Sequence, residues 1–205
     1  NYSLEEGLPQ SEIFSLIQDK KGNLWLGTNG GGISRFNGKD FISYNRRHGL
    51  ADNNIRSLYQ DANELLWIGT SIGISNFNGV SFKNYSVNDS VPNAVYFRIL
   101  EDKKGRIWAM GVDQANRQLI YREKGQFKDF IKEHEDVLNR NQVRNILMDN
   151  FGTIYIVTIN GLFEFKDEKL SRSPLNDIPE FEGQIVVPAL MDESDQLWFS
   201  NFIPN

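Results

Sequence analysis

The sequence predicts an all-β fold, a β-propeller of four-stranded antiparallel blades, with about four to five blades present. Three observations carry this. Five aspartates, Asp19, Asp61, Asp102, Asp149 and Asp192, recur at steps of 42, 41, 47 and 43 residues. An aromatic residue follows each by six positions: Trp25, Trp67, Trp108, Tyr155 and Trp198, which together take up every tryptophan of the chain. Short β-rich runs bounded by turn residues surround these landmarks, and four short strands every ~40–45 residues is the repeat of a propeller blade.

The first strand of each unit precedes its aspartate. Ile13–Gln18, Ile55–Gln60, residues 96–101 and Val143–Met148 are apolar-rich runs. The apolar content and first place of Ile13–Gln18, Ile55–Gln60 and Val143–Met148 predict innermost strands. The aspartate then opens a tight Asp-x-x-Gly turn. Its side chain can accept backbone N–H groups across the turn, and the glycine supplies a positive φ at the end. Gly22, Gly105 and Gly152 keep the glycine, whereas Glu64 and Asp195 replace it. Glutamate tolerates that conformation less well than aspartate, so the second turn is expected to be the more strained.

The second strand carries the aromatic. Trp25, Trp67, Trp108 and Tyr155 are expected at equivalent, largely buried positions, filling the space between stacked blades. Gly32-Ile33, Gly73-Ile74 and Gly161-Leu162 open third strands. Turns at Asn37-Gly38, Asn78-Gly79 and Lys124-Gly125 lead to fourth strands marked by Phe41/Tyr44, Phe82/Tyr85 and Phe127/Phe130. Asn-Gly is a strong short-hairpin signal. Sustained helical periodicity is absent; the best helix candidate is 132–140, where the longest repeat carries its extra residues.

The run Ile-x-x-Leu-x-Gln-Asp-x-x-Gly-x-Leu-Trp-Leu-Gly-Thr, followed by Gly-Ile-Ser-Arg-Phe-Asn-Gly, spans 13–38 and returns at 55–79 with Glu64 as a departure. It resembles the two-component regulator propeller repeat. The third copy keeps Asp102, Gly105 and Trp108 but loses Gly-Thr; the fourth keeps Asp149, Gly152, Thr158 and Gly161; the fifth ends soon after Trp198. The resemblance implies part of a seven-bladed propeller in the extracytoplasmic, periplasmic sensor region of a hybrid two-component histidine kinase. It also implies sensing of carbohydrate fragments, with kinase activity in C-terminal domains and none in this segment. The partners it implies are an oligo- or polysaccharide fragment, the C-terminal sensor and kinase domains of the same chain, and a second copy in a homodimer. Residues 1–205 are read as one partial propeller domain, with blades at about 8–46, 50–87, 91–131, 138–173 and an incomplete 184–205. Tyr2 precedes Asp19 by 17 residues, as Tyr44 and Tyr85 precede Asp61 and Asp102, so residues 1–3 are expected to end a preceding or closing blade. The expected shape is an open arc with Trp198 near a broken face.

Composition narrows the function classes. Acidic residues number 27 against 22 basic ones, a net charge of −5 that argues against a nucleic-acid binder. No run approaches the ~20 apolar residues of a membrane span. Without cysteine, disulfides, thiolate metal sites and cysteine nucleophiles are excluded. No cofactor and no metal site is expected. The five aspartates read as turn caps rather than a carboxylate ring, and the tryptophans as core rather than a sugar platform. Residues 29–32 lack the lysine and helix of a phosphate cradle. Glu133-His134-Glu135-Asp136 cannot all face one ion in regular structure. His48 and His134 sit on different connections, and no Gly-x-Ser-x-Gly elbow occurs.

The ligand-binding candidates lie in the loops from strand four to the next strand one and from strand two to three, which share one end of a blade. They are Asn29, Arg47, His48, Asn53, Asp113, Asn116, Arg117, Arg140 and Asn160. Their side chains offer the paired donors and acceptors that hydroxyl-rich ligands require. A protein–protein scaffold without a small ligand is the alternative, and it predicts a wide apolar patch on one face. A lyase or hydrolase would need a histidine and acids converging at the channel mouth.

Overall fold

In the computed structural model, residues 7–114, 116–139, 143–159, 161–177, 185–192, 194 and 196–202 are described. The first blade comprises β1 (Ile13–Gln18), β2 (Leu24–Thr28), β3 (Ile33–Phe36) and β4 (Phe41–Tyr44). The second comprises β5 (Ile55–Gln60), β6 (Leu66–Thr70), β7 (Ile74–Phe77) and β8 (Phe82–Tyr85). The third has β9 (Val95–Glu101), β10 (Ile107–Asp113), β11 (Asn116–Glu123) and β12 (Gln126–Asp129). The fourth has β13 (Val143–Met148), β14 (Ile154–Thr158), β15 (Gly161–Lys166) and β16 (Lys169–Arg172), and β17 (Ile185–Met191) pairs with β18 (Leu197–Phe202). Every four-stranded sheet runs in simple antiparallel order from first strand to fourth. The chain divides into two compact units, one reaching Phe130 and the other starting at Ile131.

Each first strand is joined to its second by the aspartate turn. Asp19 Oδ1 accepts the backbone N–H groups of Lys21 and Asn23 at 2.9 and 2.8 Å. Asp61 does the same for Asn63 and Leu65, Asp102 for Lys104 and Arg106, Asp149 for Phe151 and Thr153, and Asp192 for Ser194 and Gln196. The second carboxylate oxygen takes the aromatic six residues on. The indole N–H groups of Trp25, Trp67 and Trp108 each donate to it at 2.9 Å, and that of Trp198 at 2.8 Å. Gly22, Gly105 and Gly152 end their turns at φ of 85°, 74° and 93°, and Glu64 is held at 64° in the same place. For a residue with a Cβ that conformation costs roughly 1–2 kcal/mol. Asp195 lies outside the described residues.

Within the first unit the blades stack through their first strands: β5 lies against β1 and β2, and β9 against β5 and β6. The motif glycine of the second strand permits this approach. A Cβ at Gly27 would stand 2.6 Å from a methyl of Ile55, and one at Gly69 only 2.2 Å from the carbonyl oxygen of Tyr96. The first strands carry a bulge between Ile13 and Ser15 and between Ile55 and Ser57. Bulges re-aim side chains, and both serines bond to the next blade: Ser15 Oγ accepts the Leu58 N–H at 3.0 Å, and Ser57 Oγ donates to the Tyr96 carbonyl at 3.0 Å. Trp25, Ile33, Leu50, Ile55, Leu58 and Phe77 fill the space between the first two blades. Trp67, Ile74, Tyr96, Ile99, Ala109 and Phe127 fill the next.

Trp25, Trp67 and Trp108 are buried as expected. Tyr155 is only half-buried, and its hydroxyl reaches Asp149 at 3.3 Å. A phenol carries its O–H at the end of the ring instead of along its side, so it cannot enter as deeply and still reach the carboxylate. Two further details differ from the sequence reading. Asn37-Gly38 and Asn78-Gly79 are not two-residue hairpins. Phe36 pairs with Phe41 and Phe77 with Phe82, leaving four-residue loops in which the asparagine side chain accepts two downstream N–H groups. The two-residue turns are Lys124-Gly125 and Asp167-Glu168, where both residues take positive φ. The helix expected over 132–140 is a single turn at Phe130–Glu133. Residues 1–3 lie outside the described residues.

Two outcomes follow from this packing. Gly69→Ala should destabilise the protein by about 1–3 kcal/mol in chemical denaturation, the cost of overpacking against backbone that cannot yield. Gly38→Ala would meet open space, but its φ of 97° makes the substitution costly through backbone strain instead, by roughly 1–2 kcal/mol. The carboxyls of Asp19 and Asp192 are held below the ordinary aspartate range. At Asp19 the bonds from Asn23, Trp25 and the turn N–H groups outweigh the desolvation that pushes the other way; at Asp192 the indole of Trp198 contributes most. A depressed folded-state pKa gives stability that is complete above the unfolded value of about 3.9 and lost as pH falls through the folded value. Asp19→Asn should therefore flatten the acid limb of a stability–pH curve below about pH 4, and an unchanged limb would contradict this.

Candidate functional site

In an antiparallel blade the connections from strand two to three and from strand four to the next strand one emerge at the same end. Asn53 is the residue that ties them together between the first two blades. Its carbonyl accepts the N–H groups of Gly30 and Gly32 at 3.1 and 2.9 Å, and its Oδ1 accepts the Arg46 N–H at 2.8 Å. Asp52, itself buried, accepts the Asn53 N–H at 2.7 Å and the Asn54 amide at 3.3 Å. Asn29 forms a β-bridge with Asn54, and its amide donates to Glu12 at 2.6 Å. Residues Arg46–His48 form a 3₁₀ turn capped at both ends. Asn45 Oδ1 accepts the Arg47 N–H at 3.0 Å, His48 Nδ1 accepts the Asn45 N–H at 3.1 Å, and Gly49 closes the turn at φ 100°.

The structure thus brings Asn29, Arg47, His48 and Asn53 to one end of the first two blades and divides their roles. Asn29 and Asn53 spend their side chains within the frame. Arg47 and His48 stand exposed beside Arg46 on a turn that the frame holds in place, so two guanidinium groups and one imidazole face solvent from backbone fixed by hydrogen bonds to Asn45, His48 and Asn53. Such a group of donors suits a ligand rich in oxygen acceptors.

Asp113, Asn116 and Arg117 were expected in a loop. Here they end an extended hairpin instead: β10 and β11 run past their counterparts until Asp113 pairs with Asn116. Gln118 anchors Asp113 through a 3.3 Å bond, and the Arg117 guanidinium lies 5.7 Å from the centre of the Phe97 ring. Arg140 and Asn160 lie outside the described residues. Sequence reasoning missed Glu12 and Asp52. The clue was the Asp-Asn-Asn run at 52–54, where a short carboxylate precedes two amides that need an acceptor. Among the described residues no group of three or more histidine, aspartate or glutamate side chains is arranged to hold a metal ion, and no helix is long and apolar enough to cross a membrane.

Residues 7–30 and 49–71 match the family model described as two component regulator propeller. Two successive repeat segments of the chain thus match that family. An extracellular domain from B. thetaiotaomicron assigned to a hybrid two-component system shares 21% identity and a TM-score of 0.66 over 96% of this chain and 27% of its own. A second from the same organism, assigned to a one-component system, shares 18% and 0.69 over 94% and 26%. A catalytically inactive virginiamycin B lyase from Staphylococcus aureus, solved with quinupristin, shares 15% and 0.70 over 94% and 64%. These likenesses establish the propeller fold. The chain spans about a quarter of the two extracellular domains and under two thirds of the lyase. No curated protein matches it.

Asn53→Ala should release the Arg46–His48 turn while leaving the blades intact. Amide hydrogen exchange at Arg46 should accelerate, with a stability loss of about 1 kcal/mol for the hydrogen bond removed. Unchanged protection at Arg46 would show that the turn does not depend on Asn53.

Proposed function

We propose that this chain is a ligand-sensing propeller segment of an extracytoplasmic, periplasmic sensor protein of the two-component type. In this reading the loop end carrying Arg47 and His48 recognises an oligosaccharide fragment, and occupancy is passed to sensor and kinase domains further along the same polypeptide. The observation that carries the reading is the match of two successive repeats to the regulator propeller family, on a scaffold whose loop end fixes exposed donors in one place. Rigid loops on a rigid scaffold suit recognition, because less conformational freedom is lost on binding. Asp113, Asn116 and Arg117 extend the same recognition surface from the third blade, and Arg140 and Asn160 are further candidates. No residue of the segment is assigned a catalytic role. His48, the one histidine among the loop candidates, is spent at Nδ1 on capping the turn, which weighs against a lyase reading.

A calorimetric screen of the complete extracytoplasmic region against a panel of glycan fragments tests this. One class of fragment should bind, and Arg47→Ala should weaken it by about tenfold or more. Saturable binding of a protein partner at the loop end, with no fragment bound, would favour the scaffold reading instead.

A further inference from the structure

At the opposite end of the blades, where the aspartate turns lie, the first and second blades enclose a cavity of about 250 Å³. Trp25 and Phe77 form its apolar wall, their rings meeting edge-on at 6.0 Å. Arg35 on β3 enters it beside Trp25, with which it is paired across the sheet. Arg35 Nε is buried without a hydrogen-bond partner. The guanidinium carbon lies 5.9 Å from the centre of the Trp25 ring.

A buried donor of this kind calls for an acceptor, and none of the described residues hydrogen-bonds it. Asp19 lines the cavity, but both its oxygens are occupied by Lys21, Asn23 and Trp25. Glu64 lines it too, yet its carboxylate pairs with Lys21 at 2.9 Å. The cavity wall therefore carries one unmet buried donor, while Asp19 and Glu64 beside it are both engaged with other residues. Asn63 adds an exposed side-chain amide, and Asn78 spends only its Oδ1, leaving Nδ2 to donate.

We propose that this inter-blade cavity is a binding site for a small hydroxylated carboxylate, with Arg35 as the residue that receives the carboxylate. The planar guanidinium matches a planar carboxylate in a two-pronged contact. The amides of Asn63 and Asn78 meet hydroxyls, and Trp25 and Phe77 cover the apolar face of the ligand. The volume is slightly below the about 300–1,000 Å³ of drug-sized sites, which limits the occupant to roughly one sugar ring. Lys21 and Glu64, from the aspartate turns of successive blades and both solvent-exposed, form a bridge at the rim. Glu64 thus uses the unfavourable left-handed turn position to reach across to the first blade. This site is separate from the loop end and stands whether or not the sensing reading holds.

The probe is D-glucuronate, with D-glucose as neutral match and inorganic sulfate as a non-planar anion. In ¹H–¹⁵N spectra of the intact chain, the Arg35 Nε–H signal should shift saturably with glucuronate and stay fixed with glucose. Sulfate should bind more weakly. Arg35→Gln should weaken glucuronate binding about 10- to 100-fold, the loss of a charge-assisted pair. Arg35→Lys, which keeps the charge without the fork, should recover only part of it. An unmoved Nε–H signal at millimolar glucuronate, equal binding of glucose, or preference for sulfate would each overturn the proposal. The wild-type signal decides the matter even if Arg35→Gln fails to fold.

Discussion

The carboxylate that opens each hairpin turn is the interaction on which the rest depends. One oxygen organises the turn by accepting two backbone N–H groups, and the other fixes the indole of the next strand. A single buried side chain therefore couples local chain reversal to the placement of the largest core residue. Asp61 and Trp67 are both nearly inaccessible to water, where an unpaired carboxylate or indole N–H would be costly. The pair solves both problems at once, and its recurrence at four tryptophans explains why their spacing from aspartate never varies.

Blade stacking builds on that anchored ring. Trp67 packs on Tyr85 of its own blade and on Phe127 of the next, while Gly69 two residues later lets the backbone of β9 close in. Large and small residues thus alternate along the second strand, one filling the gap and the other setting its width. Thr70 completes the strand by donating to the Gly73 carbonyl at 2.9 Å, as Thr28 does to Gly32. The Leu-Trp-Leu-Gly-Thr run is accordingly a packing code, and the polar contacts of the two proposed sites fall to residues outside it. Both candidate sites obey this division. Arg47 and His48 lie in a connection, and Arg35 occupies a third-strand position where the second blade has Asn76 and the third has Tyr121.

Much of the fold was legible because each landmark answers to a local rule. Aspartate and glycine mark the turn, apolar runs mark the strands, and the period marks the blade. The indole bond was not legible, since a spacing of six says nothing of which oxygen faces the ring until the turn geometry is known. The asparagines at 37 and 78 misled for a related reason. Their side chains can cap a longer loop as readily as they can occupy a two-residue turn, and the β-strand register decides which occurs. In the candidate loop site, sequence named the connections that meet at this end of the blades but not the division of labour among their residues. Asn29 and Asn53 have the same chemistry as ligand-binding amides, and only their bonds to Glu12, Gly30 and Gly32 show that they hold the frame. Arg35 was not legible as a site residue, because it lies within an ordinary repeat motif and its significance rests on an acceptor missing from its surroundings.

A double-mutant cycle on Asp61→Ala and Trp67→Phe tests the central claim most directly. Phenylalanine keeps an aromatic ring at the position and removes the indole N–H, so the cycle isolates the side-chain pair from the turn bonds that Asp61 also makes. The predicted coupling is about 1.5–3 kcal/mol, the range for hydrogen bonds to charged groups. Strictly additive losses, with coupling within about 0.3–0.5 kcal/mol of zero, would show that the aspartate serves only its turn and that the tryptophan is positioned by packing alone.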